Sequence, residues 1–210
     1  MSRNPSLPIT GVAVTAFHAE GTRAYFTDGS LVAPSETTPL WLALTDNHRN
    51  NMQLWAEEDL ARRIHVGDAE IAANKRAIDR FNQARNDAVE RMDEVLEALL
   101  SVPVAGPARL NSETPGSIID RLSIASLKIF HMAAQIARTD VDDAHRDNCA
   151  GKLAQLRMQR ADLSGCLDAL LRECRRGRAR FRTYRQFKMY NDPRFNMALV
   201  REAREDRAQG

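Results

Sequence analysis

Apolar side chains recur every three or four residues along most of the chain from Thr38 onward, which is the spacing of one helix face. Thr38 precedes Pro39, and Thr114 precedes Pro115. A threonine that caps free N–H groups, followed by a proline that needs none, is typical of a helix start. The pattern predicts four long helices and one short C-terminal helix, beginning near Thr38, Gly67–Asp68, Thr114, Asp140–Asp143 and Phe195.

Residues 1–37 have a different pattern, because they are rich in Pro, Gly, Ser and Thr and carry only short alternating runs. They predict an irregular N-terminal segment, with a hairpin around Glu20 and Gly21. Residues 38–210 are expected to form a single domain. The predicted fold is therefore all-α, an antiparallel four-helix-type bundle with an irregular lead-in and a short last helix.

The charge balance, the apolar runs and the cysteines of the chain argue against some classes of function. The 30 Lys and Arg residues nearly balance the 28 Asp and Glu residues, so no overall field attracts nucleic acid or an acidic membrane. No apolar run approaches the roughly 18 residues of a membrane span, and the N-terminus lacks the continuous apolar stretch of a signal peptide. Cys149, Cys166 and Cys174 are expected to be buried thiols in a reducing compartment, which predicts a cytoplasmic protein without membrane association.

Polar residues interrupt the faces that should point inward. In the first long helix, His48, Asn51 and Glu58 share a face with Leu44 and Trp55, in steps of four and three. Burying such groups without partners costs several kcal/mol each. They must pair with one another, line a wet cavity or hold a ligand. Similar polar positions interrupt the next two helices, at Lys75, Asn82, Arg85, Arg121, Lys128 and His131.

Known metal and phosphate motifs do not account for these residues. Di-iron bundles use Glu-x-x-His pairs, and neither His48 nor His131 has a glutamate three positions earlier. Magnesium-dependent all-α pyrophosphohydrolases place carboxylate pairs on successive helices, whereas Glu90-x-x-Asp93 and Glu94-x-x-Glu97 share one helix. No glycine-rich phosphate loop is present. The sequence therefore assigns no metal site and leaves the cofactor unknown.

Four ordered blocks of the chain resemble a known family. They are Asn47–Asp59, Lys75–Asp87, Leu110–Ile124 with Lys128 and His131, and Tyr184–Pro193. Together they are similar to the bacterial domain-of-unknown-function family 4254 over roughly residues 40–200. The resemblance implies an uncharacterised bacterial family, some members of which are encoded near surface-polysaccharide genes.

The segment Arg172–Lys188 is strongly basic and carries interleaved aromatic residues. Such a stripe can follow phosphates and stack on bases. The near-neutral remainder of the chain favours instead a solvated arginine face with aromatic rings tucked under the bundle. Nucleic-acid binding through this segment is the weaker alternative.

The leading hypothesis is a polar interior site that binds or acts on an anionic small molecule. The family resemblance suggests a phosphorylated or nucleotide-activated sugar. Glu58, His48 and His131 are the candidate catalytic residues, because a buried glutamate and a histidine can exchange protons near neutral pH. The candidate ligand-binding residues are Asn51, Asp79, Asn82, Arg85, Asn86, Glu113, Asp120, Arg121 and Lys128.

The same polar residues also fit a second hypothesis. One or two buried amide or basic side chains often fix the register of a bundle. The chain would then be a non-catalytic helical module that forms a homo-oligomer or organises a partner protein.

Overall fold

A computed structural model of the chain describes residues 7–34, 36–100, 108–185 and 192–209. The described residues form six helices and one pair of two-residue strands. The helices are α1 (Gly11–Asp28), α2 (Pro39–Leu60), α3 (Asp68–Leu100), α4 (Pro115–Ile136), α5 (Asp143–Arg175) and α6 (Met197–Gln209). The strands β1 (Arg109–Leu110) and β2 (Ala179–Arg180) pair in parallel. The predicted all-α fold is confirmed.

Three of the five predicted helix starts are confirmed by caps. The Thr38 hydroxyl accepts the N–H of Trp41 at 3.4 Å, and the Thr114 hydroxyl accepts the N–H of Ser117 at 3.2 Å. Pro39 and Pro115 each occupy the first turn that follows. Asp142 caps α5 through a carboxylate that also suits the positive end of the helix dipole.

The prediction of an irregular N-terminal segment is wrong over Gly11–Asp28, which forms α1 instead of strands and a hairpin. Thr10 caps the start of this helix. Gly29 ends it with a φ of 77°, a left-handed conformation that glycine adopts at little cost.

The composition of the buried face explains the error. This face recurs with helical spacing, but two of its members are polar and two are glycines, so it has little apolar signal. Its members are Gly11, Val14, Phe17, His18, Gly21 and Thr22.

Helix α4 lies in the middle of the bundle and contacts α1, α2, α3 and α5. Helices α2 and α3 pack along each other, as do α4 and α5. Leucines, isoleucines and methionines from these helices fill the core, including Leu44, Met92, Leu96, Ile119, Leu122, Leu167 and Leu171. No helix within the described ranges is long and apolar enough to cross a membrane.

The burial prediction for the cysteines is confirmed for Cys149 and Cys174 and wrong for Cys166. Cys174 continues the buried stripe of Leu163, Leu167 and Leu170 in α5. Cys166 directly precedes Leu167 and is therefore rotated about 100° away from that stripe, toward solvent.

A buried carboxylate joins α3 to the first turn of α4. Oδ1 of Asp93 accepts the N–H of Gly116 at 2.6 Å, and the residue is almost completely buried. Burial raises the pKa of Asp93 to about 6, against the opposing effect of its hydrogen bonds from Thr114 and Gly116. The charged form of Asp93 therefore costs stability at neutral pH.

We expect Asp93→Asn to remove this cost, because the amide keeps an oxygen for the Gly116 N–H and carries no charge. The wild-type folded state holds an extra proton between the usual pKa of 3.8 and about 6. The contribution of Asp93 to the free energy of unfolding is thus present at low pH and is lost as pH rises through 6. From pH 5 to 7.5 the variant should gain about 1.4 kcal/mol relative to wild type, measured by urea unfolding. If the stability difference between the variant and wild type is the same at pH 5 and pH 7.5, the raised pKa of Asp93 is wrong.

Candidate functional site

The polar interior is centred on His48 of α2. Its Nδ1 lies 2.7 Å from Oγ of Ser123 in α4, and its Nε2 lies 3.3 Å from Oγ1 of Thr22 in α1. Both ring nitrogens thus have partners inside the protein. Burial lowers the pKa of His48 to about 4, so the ring is uncharged at neutral pH. This enclosed arrangement is typical of a packing residue.

A second buried histidine stacks on the first. The His18 and His48 ring centroids are 4.5 Å apart, with an interplanar angle of 30°. Neither nitrogen of His18 has a hydrogen-bond partner among the described residues. Burial, together with His48 and the positive charge of Arg160, holds the pKa of His18 well below its usual value of 6.5.

Asp120 of α4 connects this interior to two amides of α2. Its Oδ1 accepts Nδ2 of Asn47 and Nδ2 of Asn51, each at 2.8 Å. Asn51 also donates to Oγ of Ser123 at 3.0 Å. These groups satisfy one another across α2 and α4, which explains how buried polar side chains are tolerated here.

Next to this network lies a cleft of about 430 Å³ between α2, α3 and α4, here called the Arg85 cleft. It brings together four of the predicted site residues, namely Asn51, Glu58, Asn82 and Arg85. Its full lining is Asn51, Leu54, Trp55, Glu58, Asp59, Arg62, Asn82, Arg85, Ile124 and Leu127.

The guanidinium of Arg85 has few partners for its five N–H groups. Nη2 donates to Oδ1 of Asn86 at 3.2 Å, and this is its single hydrogen bond among the described residues. Nε is buried, lies 4.0 Å from Oδ1 of Asp120 and has no hydrogen-bond partner in that part of the chain. The nearby carboxylate oxygen already accepts two amides, so Arg85 keeps unused donors beside the cleft.

A second cleft, of about 510 Å³, holds two other predicted residues, Lys128 and His131 of α4. We call it the Lys128 cleft. Trp55 lines both clefts and stacks on His131, with ring centroids 4.4 Å apart and nearly parallel planes. Burial lowers the pKa of His131, while the charge of Asp59 opposes this shift. The full lining is Trp55, Lys128, His131, Met132, Gln135, Lys152, Gln155, Leu156 and Gln159.

Three predicted ligand residues form surface ion pairs instead. Asp79 pairs with Lys75, one turn earlier on α3. Nη1 of Arg121 lies 2.8 and 2.9 Å from the two carboxylate oxygens of Glu113. Asp79 and Glu113 line none of the clefts described, whereas Arg121 and Lys128 line a third, smaller depression of about 260 Å³. A row of residues beside the core stripe of a helix has the same three- and four-residue spacing as that stripe. Spacing alone therefore does not show whether such a row faces the core or water.

The structure therefore divides the predicted residues. His48 and Asp120 belong to the buried network, and Asn86 is a buried partner of Arg85. Sequence reasoning missed His18, Thr22 and Ser123, which complete the surroundings of His48. The first two lie on the helix that was not predicted. Within the described residues, no group of three or more His, Cys, Asp or Glu side chains could hold a metal ion.

The basic C-terminal segment is partly neutralised. Arg178 forms a hydrogen-bonded ion pair with Glu173 at 2.8 Å, and Arg185 lies 3.8 Å from a carboxylate oxygen of Glu94. Phe181 is buried, as predicted for the aromatic residues, but Tyr184 is 65% exposed. Phe187, Lys188 and Tyr190 lie outside the described residues.

Comparison with known families gives one match. A family model described as a protein of unknown function, DUF4254, matches residues 41–183, which is more than half of the chain. The chain belongs to the DUF4254 family. The matched DUF4254 region contains every residue that lines the two clefts, whereas α1 with His18 and Thr22 precedes it. Searches of curated proteins and of solved structures found no match.

Proposed function

We propose that the Arg85 cleft binds a small molecule that carries one anionic group and several hydroxyl groups, as a phosphorylated sugar does. The observation that carries this proposal is the guanidinium of Arg85, most of whose donors have no protein partner among the described residues, on a side chain that is 26% exposed. A planar guanidinium with free N–H groups is suited to bidentate contacts with a phosphate or carboxylate.

The rest of the cleft favours a ligand that also has hydroxyl groups. Asn51 and Asn82 supply amides, Glu58 and Asp59 supply carboxylates, and Trp55 supplies an aromatic wall. Amides and carboxylates can accept hydrogen bonds from hydroxyls, while an aromatic face packs against the C–H side of a sugar ring.

The charge of the cleft limits the size of the anion. Arg62 and Arg85 are balanced by Glu58 and Asp59, so the lining has no formal net charge. Arg62 is neutralised by a carboxylate oxygen of Glu58 at 2.9 Å, whereas the nearest carboxylate oxygen to Arg85, that of Asp120, lies 4.0 Å away, so Arg85 is the less neutralised of the two cations. A single phosphate or carboxylate suits this arrangement better than a polyanion.

The proposal concerns binding. Of the three candidate catalytic residues, Glu58 lines the Arg85 cleft, His131 lines the Lys128 cleft and His48 lies in the buried network, so they do not share one space. Nucleotide-activated sugars share the same chemistry of phosphate and hydroxyls and belong in the same ligand screen.

We expect Arg85→Gln to weaken the binding of a hexose phosphate by about tenfold or more, because it removes the charge and the bidentate donor pair. Calorimetric titration of a panel of hexose phosphates, with the same free hexoses in parallel, measures the effect. The wild-type protein should prefer the phosphorylated form, and the variant should lose that preference.

Arg121→Gln is the matched control, because Arg121 is paired with Glu113 at the surface and does not line the Arg85 cleft. It should leave hexose phosphate affinity unchanged. The proposal fails if no hexose phosphate binds more tightly than its free hexose. It also fails if the two arginine variants behave alike.

The buried network favours a second candidate, a non-catalytic helical module. Asn47, Asn51, Asp120 and Ser123 satisfy one another, as expected of residues that fix how helices pack. Under this alternative, Arg85→Gln would lower the melting temperature and leave ligand titrations flat for both proteins. The same titration therefore separates the two candidates.

A further inference from the structure

The Lys128 cleft differs from the Arg85 cleft in its charge. Lys128 of α4 and Lys152 of α5 both line it, and none of its lining residues is a carboxylate. Neither ammonium group forms an ion pair or hydrogen bond within the part of the chain that the structure describes. Two unpaired lysines on different helices therefore place positive charge beside one cavity.

The interior of this cleft is largely apolar. Trp55 and His131 stack face to face, with ring centroids 4.4 Å apart, and line the cleft as one aromatic stack, to which Met132 and Leu156 add aliphatic surface. Edge contact from Phe26 of α1, at 4.6 Å between ring centroids, supports His131. Because burial lowers its pKa, His131 presents an uncharged ring. An apolar floor with a few polar groups around it is the usual composition of a small-molecule pocket.

The polar atoms around the floor are also only partly satisfied. Nε1 of Trp55 and Nε2 of His131 are buried without a hydrogen-bond partner among the described residues. Gln155 and Gln159 of α5 line the same cavity and carry amides. A bound molecule with one or two hydrogen-bonding groups would reduce the cost of these unpaired atoms.

We infer that the Lys128 cleft is a second binding site, adjacent to the proposed sugar site and sharing Trp55 with it, for a molecule with an apolar body and one anionic group. The apolar body packs against the Trp55–His131 stack, Met132 and Leu156, and the anion lies between Lys128 and Lys152. The volume of about 510 Å³ is within the range of pockets that enclose small organic ligands. Lysines bind such an anion as point charges and impose little geometry on it.

Two dyes that differ in one charge test this inference. The first is 8-anilinonaphthalene-1-sulfonate, which has an aromatic body and a sulfonate, and the second is the neutral N-phenyl-1-naphthylamine. We expect the sulfonate dye to bind with one-to-one stoichiometry. Lys128→Gln combined with Lys152→Gln should weaken that binding by about fivefold or more, because two ammonium contacts are lost. The affinity of the neutral dye should stay unchanged.

Three further variants make the result decisive. Lys75→Gln removes a lysine that is paired with Asp79 outside the cleft, and it should bind both dyes as wild type does. The double variant Lys128→Arg with Lys152→Arg keeps both positive charges and should bind the sulfonate dye as tightly as wild type. Arg85→Gln should also bind this dye as tightly as wild type, so a failure of the Lys128 site can be distinguished from a failure of the sugar site.

The inference is overturned if the sulfonate dye does not bind at one-to-one stoichiometry. It is also overturned if the double glutamine variant lowers the affinity for both dyes equally or lowers the affinity for neither. Near-ultraviolet circular dichroism on each variant shows that its tertiary packing is retained, since this dye also binds partly unfolded protein.

Discussion

Gly116→Ala is expected to lower the free energy of unfolding by about 3 kcal/mol, because there is no room for a methyl group between α3 and α4. A Cβ atom at this position would lie 2.7 Å from Oδ1 of Asp93 and 2.8 Å from the carbonyl oxygen of Val89. The second of these atoms belongs to the backbone of α3, so the helices must move apart. That movement also lengthens the hydrogen bond from the Gly116 N–H to Asp93.

Two glycines of α5 provide the control for this prediction. Gly151 and Gly165 lie inside the helix, and a Cβ on either would meet no neighbouring atom within 4 Å. Alanine at these positions should stabilise the protein by about 0.5–1 kcal/mol, because it restricts the unfolded chain and favours helix. Urea unfolding of the three variants measures both effects. A Gly116→Ala protein as stable as the Gly165→Ala protein would show that the α3–α4 contact is looser than described.

The elements that were predictable from sequence are those whose signals are local. Thr38 with Pro39 and Thr114 with Pro115 fixed two helix starts, because a cap and a proline act within one turn. Helix α1 also begins with a capping threonine, Thr10, but no proline follows it, and its buried face lacks an apolar pattern because His18, Gly21 and Thr22 replace apolar residues. The buried face of α1 is covered by α2, α4 and α5, and that information is not contained in the helix itself.

The sequence predicted which residues could belong to a site, but it did not predict which of them are buried and which are exposed. Steps of three and four indicated that Asn51 and His48 point inward, and both are buried. The same steps included Lys128 and Arg121, which are exposed. Long basic side chains can cover apolar surface while their charged ends remain in water, so a stripe beside the core is compatible with either outcome.

The pairing of polar groups across helices decides which residues are candidates for binding. Asp120 accepts two amides of α2, and His48 has a partner on each side, so neither needs a ligand. Arg85, Lys128 and Lys152 keep donors that no described residue uses. Since this difference depends on which helices are neighbours, it becomes visible only in three dimensions.

Acidification is expected to destabilise the folded protein through its buried histidines. The pKa of His48 is about 4 in the folded state and 6.5 when exposed, so between these values the unfolded chain holds a proton that the folded chain lacks. Stability from this group is therefore complete above pH 6.5 and is lost as pH falls toward 4. From pH 7.5 to 5 the loss through His48 is about 2 kcal/mol. His18, whose pKa is also lowered, adds to it.

Variants at His48 and Asp93 separate the opposing contributions to this profile. Asp93 acts in the other direction, because its raised pKa makes the folded state bind a proton below about pH 6. Urea unfolding should therefore show a steeper acid loss in Asp93→Asn and a shallower one in His48→Asn. If the free energy of unfolding of His48→Asn depends on pH as that of wild type does, His48 is already charged or solvated in the folded protein. The description of His48 as enclosed by uncharged partners would then be wrong.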